Sequence, residues 1–173
     1  MRANKALRRV AILSLAGTLL SACSTEVSIP TATTHGVAGH RFSISFLKRP
    51  KVLIVVHGTV ALGQYGTSVD KRWAWSGGGV YVFVDDLARS VPSRLVNPLL
   101  RRFLPNTHGG KIVTRFGFPA VTESVPCSSP AGTCAGTIGS LVVLDGSTLY
   151  DVFVHNSNPS VTSAVIDSFR LAS

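Results

Sequence analysis

Three thiols, five imidazoles and eight carboxylates are the side chains of this sequence that can form covalent links, hold a metal or move protons. Their spacing excludes much of that chemistry. His35, His40, His57, His108 and His155 are scattered. No two of them sit four apart with a Glu between, the helical spacing that brings two imidazoles onto one zinc. A protein-held metal is not expected, nor is a cofactor. Asp85 and Asp86 follow an apolar run. General acid–base work needs two carboxylates placed across a cleft, which adjacency does not supply, so the pair is expected to end a strand. Gly77-Gly78-Gly79 lacks the following Lys-Ser/Thr of a phosphate loop and reads as a turn. No catalytic residue is assigned.

Cys23 carries the most specific chemistry. It is preceded by Leu20-Ser21-Ala22, by an uncharged apolar run over residues 10–20, and by the basic residues Arg2, Lys5, Arg8 and Arg9. That run is too short to span a bilayer and has the layout of a secretory signal peptide. The tetrapeptide resembles the lipobox of bacterial lipoproteins, in which the cysteine thiol is diacylated and becomes the new N-terminus. The resemblance implies a domain held by lipid on the extracytoplasmic face of a membrane, in the outer membrane if the envelope is diderm. Two acyl chains hold firmly where one is marginal.

Removing residues 1–22 takes four of the 17 basic residues and leaves 13 against eight acidic ones, a net +5 in place of +9. A modest positive charge outside the cytosol suits anionic lipid or wall polymer, or simply solubility, and that compartment argues against nucleic acid. The same compartment oxidises thiols. Cys127 and Cys134 are separated by six residues rich in Ser, Pro and Gly. This is not the Cys-x-x-Cys of a redox pair, and no His is close in sequence. A structural disulfide is expected, contributing on the order of 2–3 kcal/mol by closing a small loop.

Val55-Val56-His57-Gly58 reads as a strand ending in His-Gly and resembles the oxyanion-loop strand of α/β-hydrolases. A surface hydrolase using His57 is the alternative function. The Gly-x-Ser-x-Gly elbow and the alternating strand–helix units of that fold are missing.

These groups need elements to position them. Residues 23–39, Ser/Thr-rich and without an apolar period, read as a lipidated N-terminus and flexible tether. Residues 40–173 read as one globular domain. Phe42, Ile44 and Phe46 alternate with polar residues as a half-buried strand. Further strands are expected at 52–56, 72–75, 80–84, 112–116, 120–125, 140–144 and 149–154, with a glycine turn at 77–79 and an Asp145-Gly146 hairpin. Asn97 and Pro98 are expected to start a short helix that Pro105 stops, with Leu100, Phe103 and Leu104 on one face. Asn158-Pro159 is expected to open a C-terminal helix burying Val161, Val165 and Phe169. The expected class is α+β: a mostly antiparallel sheet of six to eight strands covered by a middle and a C-terminal helix.

On strands, residues two apart share a face, so Trp73 aligns with Trp75 and Tyr81 with Phe83. One set is expected in the core. The other, if exposed, would form an aromatic binding patch, with Trp73, Trp75 and Tyr81 as the candidates. The order of the opening Phe42-x-Ile44-x-Phe46 strand, Val84-Asp85-Asp86-Leu87, Gly117-Phe118-Pro119-Ala120, Leu149-Tyr150-Asp151-Val152 and a closing Asp167-Ser168-Phe169-Arg170 resembles the PsbP-like fold shared with the Ran-binding Mog protein and many small bacterial lipoproteins. Covering residues 40–171, the resemblance implies an α/β/α sandwich. It implies a non-enzymatic role in binding an envelope protein or an amphiphilic ligand, with no site residue carried over. Oligomeric state is not indicated.

Overall fold

The computed structural model describes residues 33–37, 40–63, 66–104, 110–127 and 135–172. The fold is α+β, with ten strands in two antiparallel sheets and two helices among the described residues. The large sheet has the order β3-β4-β5-β9-β8-β7-β6 and the small one β1-β2-β10. The large sheet joins two meanders. The first is β3 (Lys51–Ala61), β4 (Ser68–Gly77) and β5 (Val80–Leu87). The second is β6 (Lys111–Arg115), β7 (Phe118–Pro126), β8 (Thr137–Asp145) and β9 (Thr148–Asn156). They meet where β5 pairs with β9, from Val80 opposite Val154 to Asp86 opposite Thr148.

Cross-strand partners share a face, so the register sorts every side chain. Trp75, Val82, Val152 and Leu141 form one row, and Trp73, Val84, Tyr150 and Val143 the next. This face packs on α2 (Pro159–Ser168) and on the small sheet through Phe42, Ile44, Val165, Ile166 and Phe169. Gly139 lies under α2, where a Cβ would meet Thr162 Cγ2 at 2.5 Å. Val121, Val142, Leu144, Leu149 and Leu87 point the other way, onto Leu99, Leu100 and Leu104 of α1 (Ser93–Arg102) and its end. The two helices therefore cover opposite faces, as an α/β/α arrangement requires.

Local chemistry explains most elements. The β4–β5 turn has Gly78 at φ 67° and Gly79 at φ 85°, the paired left-handed geometry of a type I′ hairpin. Asn158 caps α2 by accepting from the Ser160 N–H at 2.9 Å, with Pro159 in the first turn.

Four features differ from expectation. Residues 42–44 belong to the separate small sheet, in β2 (His40–Ile44), not to the large one. Thr33–Val37, within the segment read as tether, is strand β1 paired with β2; β-branched Thr and Val suit a strand once a partner edge exists. β3 does not stop at His57 but runs to Ala61, with register shifts between Val52 and Ile54 and between His57 and Val60 that absorb Gly58. Helix α1 starts at Ser93, so Asn97 is no cap and Pro98 lies inside the helix. Leu95 and Val96 pack against the same cluster as Leu99 and Leu100, and that burial outweighs the interior proline.

Candidate functional site

The α1 side of the large sheet is divided. Its far end is sealed by leucines, with α1 packed chiefly on β7 and β8; the centre of β4 and β5 is the other part. There the register groups Arg72, Asp85, Phe83 and Asp151 on one face. Asp85 is fully buried, and Arg72 grips it with two hydrogen bonds, Nε to Oδ1 at 2.5 Å and Nη2 to Oδ2 at 2.7 Å. The guanidinium also lies 5.6 Å from the Phe83 ring centre. The hydrogen bond to Asp85 raises the Arg72 pKa, so the guanidinium stays charged.

Asp151 sits in β9 directly opposite Phe83. Burial pushes its carboxyl up to about 7, repulsion from Asp85 adds to the shift, and Arg72 opposes it. On the same face Ser140 Oγ is buried with no hydrogen-bond partner among the described residues. Around these polar atoms stand Tyr81 and Phe153, half-buried with ring centres 5.9 Å apart. The zone combines an ion pair, an acid able to hold a proton near neutrality, an unpaired hydroxyl and three aromatic rings. Such a surface can bind; Asp85, locked by Arg72, is no free base.

A raised Asp151 pKa has a definite sign. Between about pH 4 and 7 the folded chain keeps a proton that the unfolded chain has lost, so stability falls as pH rises through that window and levels above 7. Asp151→Asn is expected to flatten this slope and to stabilise the protein at pH 8. Urea unfolding of parent and variant at pH 4, 6 and 8 reads it; parallel curves would show that Asp151 titrates alike in both states.

A second polar cluster joins the two sheets. His40 Nε2 lies 2.7 Å from Asp86 Oδ1, and Thr148 Oγ1 lies 3.3 Å from both His40 Nδ1 and Asp86 Oδ1. Hydroxyl, imidazole and carboxylate touch, and Thr148 is buried. The cluster clamps β2 onto β5 and β9. Two clefts also open on the side of α2 and the small sheet. One of about 200 Å³ includes Arg115, Ser124, Ser163 and Asp167 in its wall; one of about 330 Å³ is lined by Phe116, Phe118, Asp145, Leu171 and Ala172.

The aromatic candidates are separated rather than gathered. Trp73 and Trp75 are only 8% and 6% exposed, in the core beneath the small sheet, while Tyr81 lies on the opposite face with Phe83. Alternation dictates that split, and the expected patch of Trp73, Trp75 and Tyr81 is corrected to Tyr81, Phe83 and Phe153. His57 lies in β3 opposite Lys71. The residue lies in mid-strand and β3 is antiparallel to β4, unlike the hydrolase strand, where His-Gly follows a parallel strand. Cys23, Cys134 and His108 lie outside the described residues. The Cys127 N–H donates to the Gly136 carbonyl at 2.8 Å. Among the described residues no three His, Cys, Asp or Glu side chains converge as metal ligands, and no helix is long and apolar enough to cross a membrane.

Arg72, Asp151 and Ser140 were not singled out by sequence reasoning. The available signal was a lone carboxylate within the apolar run Leu149-Tyr150-Asp151-Val152-Phe153-Val154. No protein-family model, no curated protein and no solved structure matches the chain.

Proposed function

We propose that this chain is an envelope lipoprotein, anchored by acyl chains on Cys23, with a PsbP-like domain that acts by binding an envelope protein or an amphiphilic ligand and catalyses no reaction. The observation that carries the location is Leu20-Ser21-Ala22-Cys23 behind a basic, then apolar, leader. What supports binding is the zone of Tyr81, Phe83 and Phe153 around Asp151 and the unpaired Ser140 hydroxyl. A buried hydroxyl without a partner costs free energy that a ligand or partner group can recover. A Cys127–Cys134 disulfide belongs to the same proposal, as a brace suited to an oxidising compartment.

Metabolic labelling with palmitate tests the anchor. The parent is expected to carry label and stay with the membrane fraction, and Cys23→Ser to lose both. A Cys23→Ser chain as strongly labelled as the parent would refute the lipoprotein assignment. For the binding role, native mass spectrometry of the detergent-extracted protein should show a retained adduct that Phe83→Ser loses; a bare mass from parent and variant alike counts against it.

A further inference from the structure

The most exposed large aliphatic side chains among the described residues are neighbours in sequence, Val52 at 62% and Leu53 at 50% exposure. They open edge strand β3, at the register shift between Val52 and Ile54. Immediately before them come Lys48, Arg49 and Lys51, all exposed, and half-buried Leu47 and Pro50. None of the three cations forms an ion pair among the described residues. On β4 and β5 the carboxylates Asp70, Asp85 and Asp86 all sit toward the opposite end of the strands. Isolated exposed aliphatics are ordinary, but two adjoining ones ringed by unpaired cations are the composition of a membrane-interface segment.

The segment is held in place. Gly77 and Gly78 let the chain at 47–50 lie directly on the β4–β5 turn. A Cβ on Gly77 would collide with the Lys48 carbonyl oxygen, and one on Gly78 would stand 2.8 Å from Leu47 Cβ. The glycine run thus has a second use besides its turn. The N-terminal chain also enters the domain at this end. Thr33, the first residue of β1, pairs with Ile44, and the chain reaches Lys48 four residues later. Thr33 is ten residues from Cys23, a span of at most about 35 Å when fully extended.

We propose that residues 47–53 form a membrane-contacting patch for an anionic bilayer. Lys48, Arg49 and Lys51 meet lipid phosphates, while Val52 and Leu53 enter the boundary between headgroups and acyl chains. The anchor reading explains why the patch would face a bilayer, but the contact itself is testable without the anchor.

A chain of residues 24–173 keeps every member of both described hydrophobic clusters, the first of which is Phe42. It is expected to co-sediment with phosphatidylcholine vesicles containing one-third phosphatidylglycerol, to release with added salt, and to ignore pure phosphatidylcholine. Replacing Lys48, Arg49 and Lys51 together by Ser should lower partitioning by about a hundredfold. Val52→Ser with Leu53→Ser should lower it by about tenfold, with thermal unfolding unchanged because both side chains are exposed. Absence of binding, equal binding to neutral vesicles, or a charge variant that binds like the parent would overturn the proposal. So would binding that needs the cations but not Val52 and Leu53, which would mark the patch as a site for a soluble polyanion. A parent chain that takes up no palmitate label in the cell while vesicle binding stays intact would instead remove the anchor and leave the patch.

Discussion

Replacing Arg72 by Met is expected to destabilise the fold by about 3–5 kcal/mol, a large share of the roughly 5–15 kcal/mol available to a domain of this kind. The reason is Asp85. Its side chain is fully buried, and Arg72 supplies both of its hydrogen bonds to the guanidinium. Removing the arginine leaves a carboxylate with neither water nor counter-charge. The pair itself is not expected to be worth that much. Exchanging both members, Arg72→Met with Asp85→Leu, should bring stability back to within about 1–2 kcal/mol of the parent, because two desolvated charges are replaced by packing of similar volume. Urea unfolding of parent, single and double variants at pH 7 measures the difference. If the single variant costs less than the double, the ion pair is not what holds the centre of β4 and β5 together.

Phe42→Ala should cost about as much, roughly 3–5 kcal/mol, by a different route. Phe42 is fully buried at the join between the two sheets. It stacks on Phe169 at 5.9 Å and meets Trp75 edge-on at 5.3 Å and Tyr150 at 6.4 Å. It also belongs to β2, the middle strand of the small sheet, to which β1 and β10 are both hydrogen-bonded. A cavity there weakens the docking of three strands at once. Hydrogen exchange is expected to show loss of protection in β1, β2 and β10 before the large sheet is affected. Phe42→Leu, which keeps most of the volume, should cost under about 1.5 kcal/mol. A Phe42→Ala variant of near-parental stability would mean that the small sheet adds little to the fold.

Much of the architecture was legible because its causes are local. Gly78-Gly79 takes two left-handed residues, Asn158-Pro159 caps and starts a helix, and the β-branched and aromatic runs at residues 80–84 and 149–154 beside glycine turns mark strands. Helix α1 was misplaced at its start for an equally physical reason. Asn-Pro is a strong local initiation signal, but Leu95 and Val96 gain burial against the cluster around Leu99 and Leu100, and local preference yields to that packing. The same competition extends β3 past Gly58, since pairing with β4 satisfies its backbone.

For the candidate site, the sequence by itself determined which residues travel together: Trp73 with Trp75, Tyr81 with Phe83, and each Asp with its strand neighbours two away. Periodicity needs nothing beyond the chain's own geometry. It also placed the cations at 48–51 beside two aliphatic residues. Only the tertiary structure decided which face each set would occupy. It put the tryptophans under the small sheet, left Tyr81 and Phe83 on the opposite face, which carries α1, and set Asp151 opposite Phe83 beside the Arg72–Asp85 pair. That outcome depends on β5 pairing with β9 across more than sixty residues of sequence. Such a pairing is selected by the total apolar surface it buries, and no window of local sequence contains that quantity.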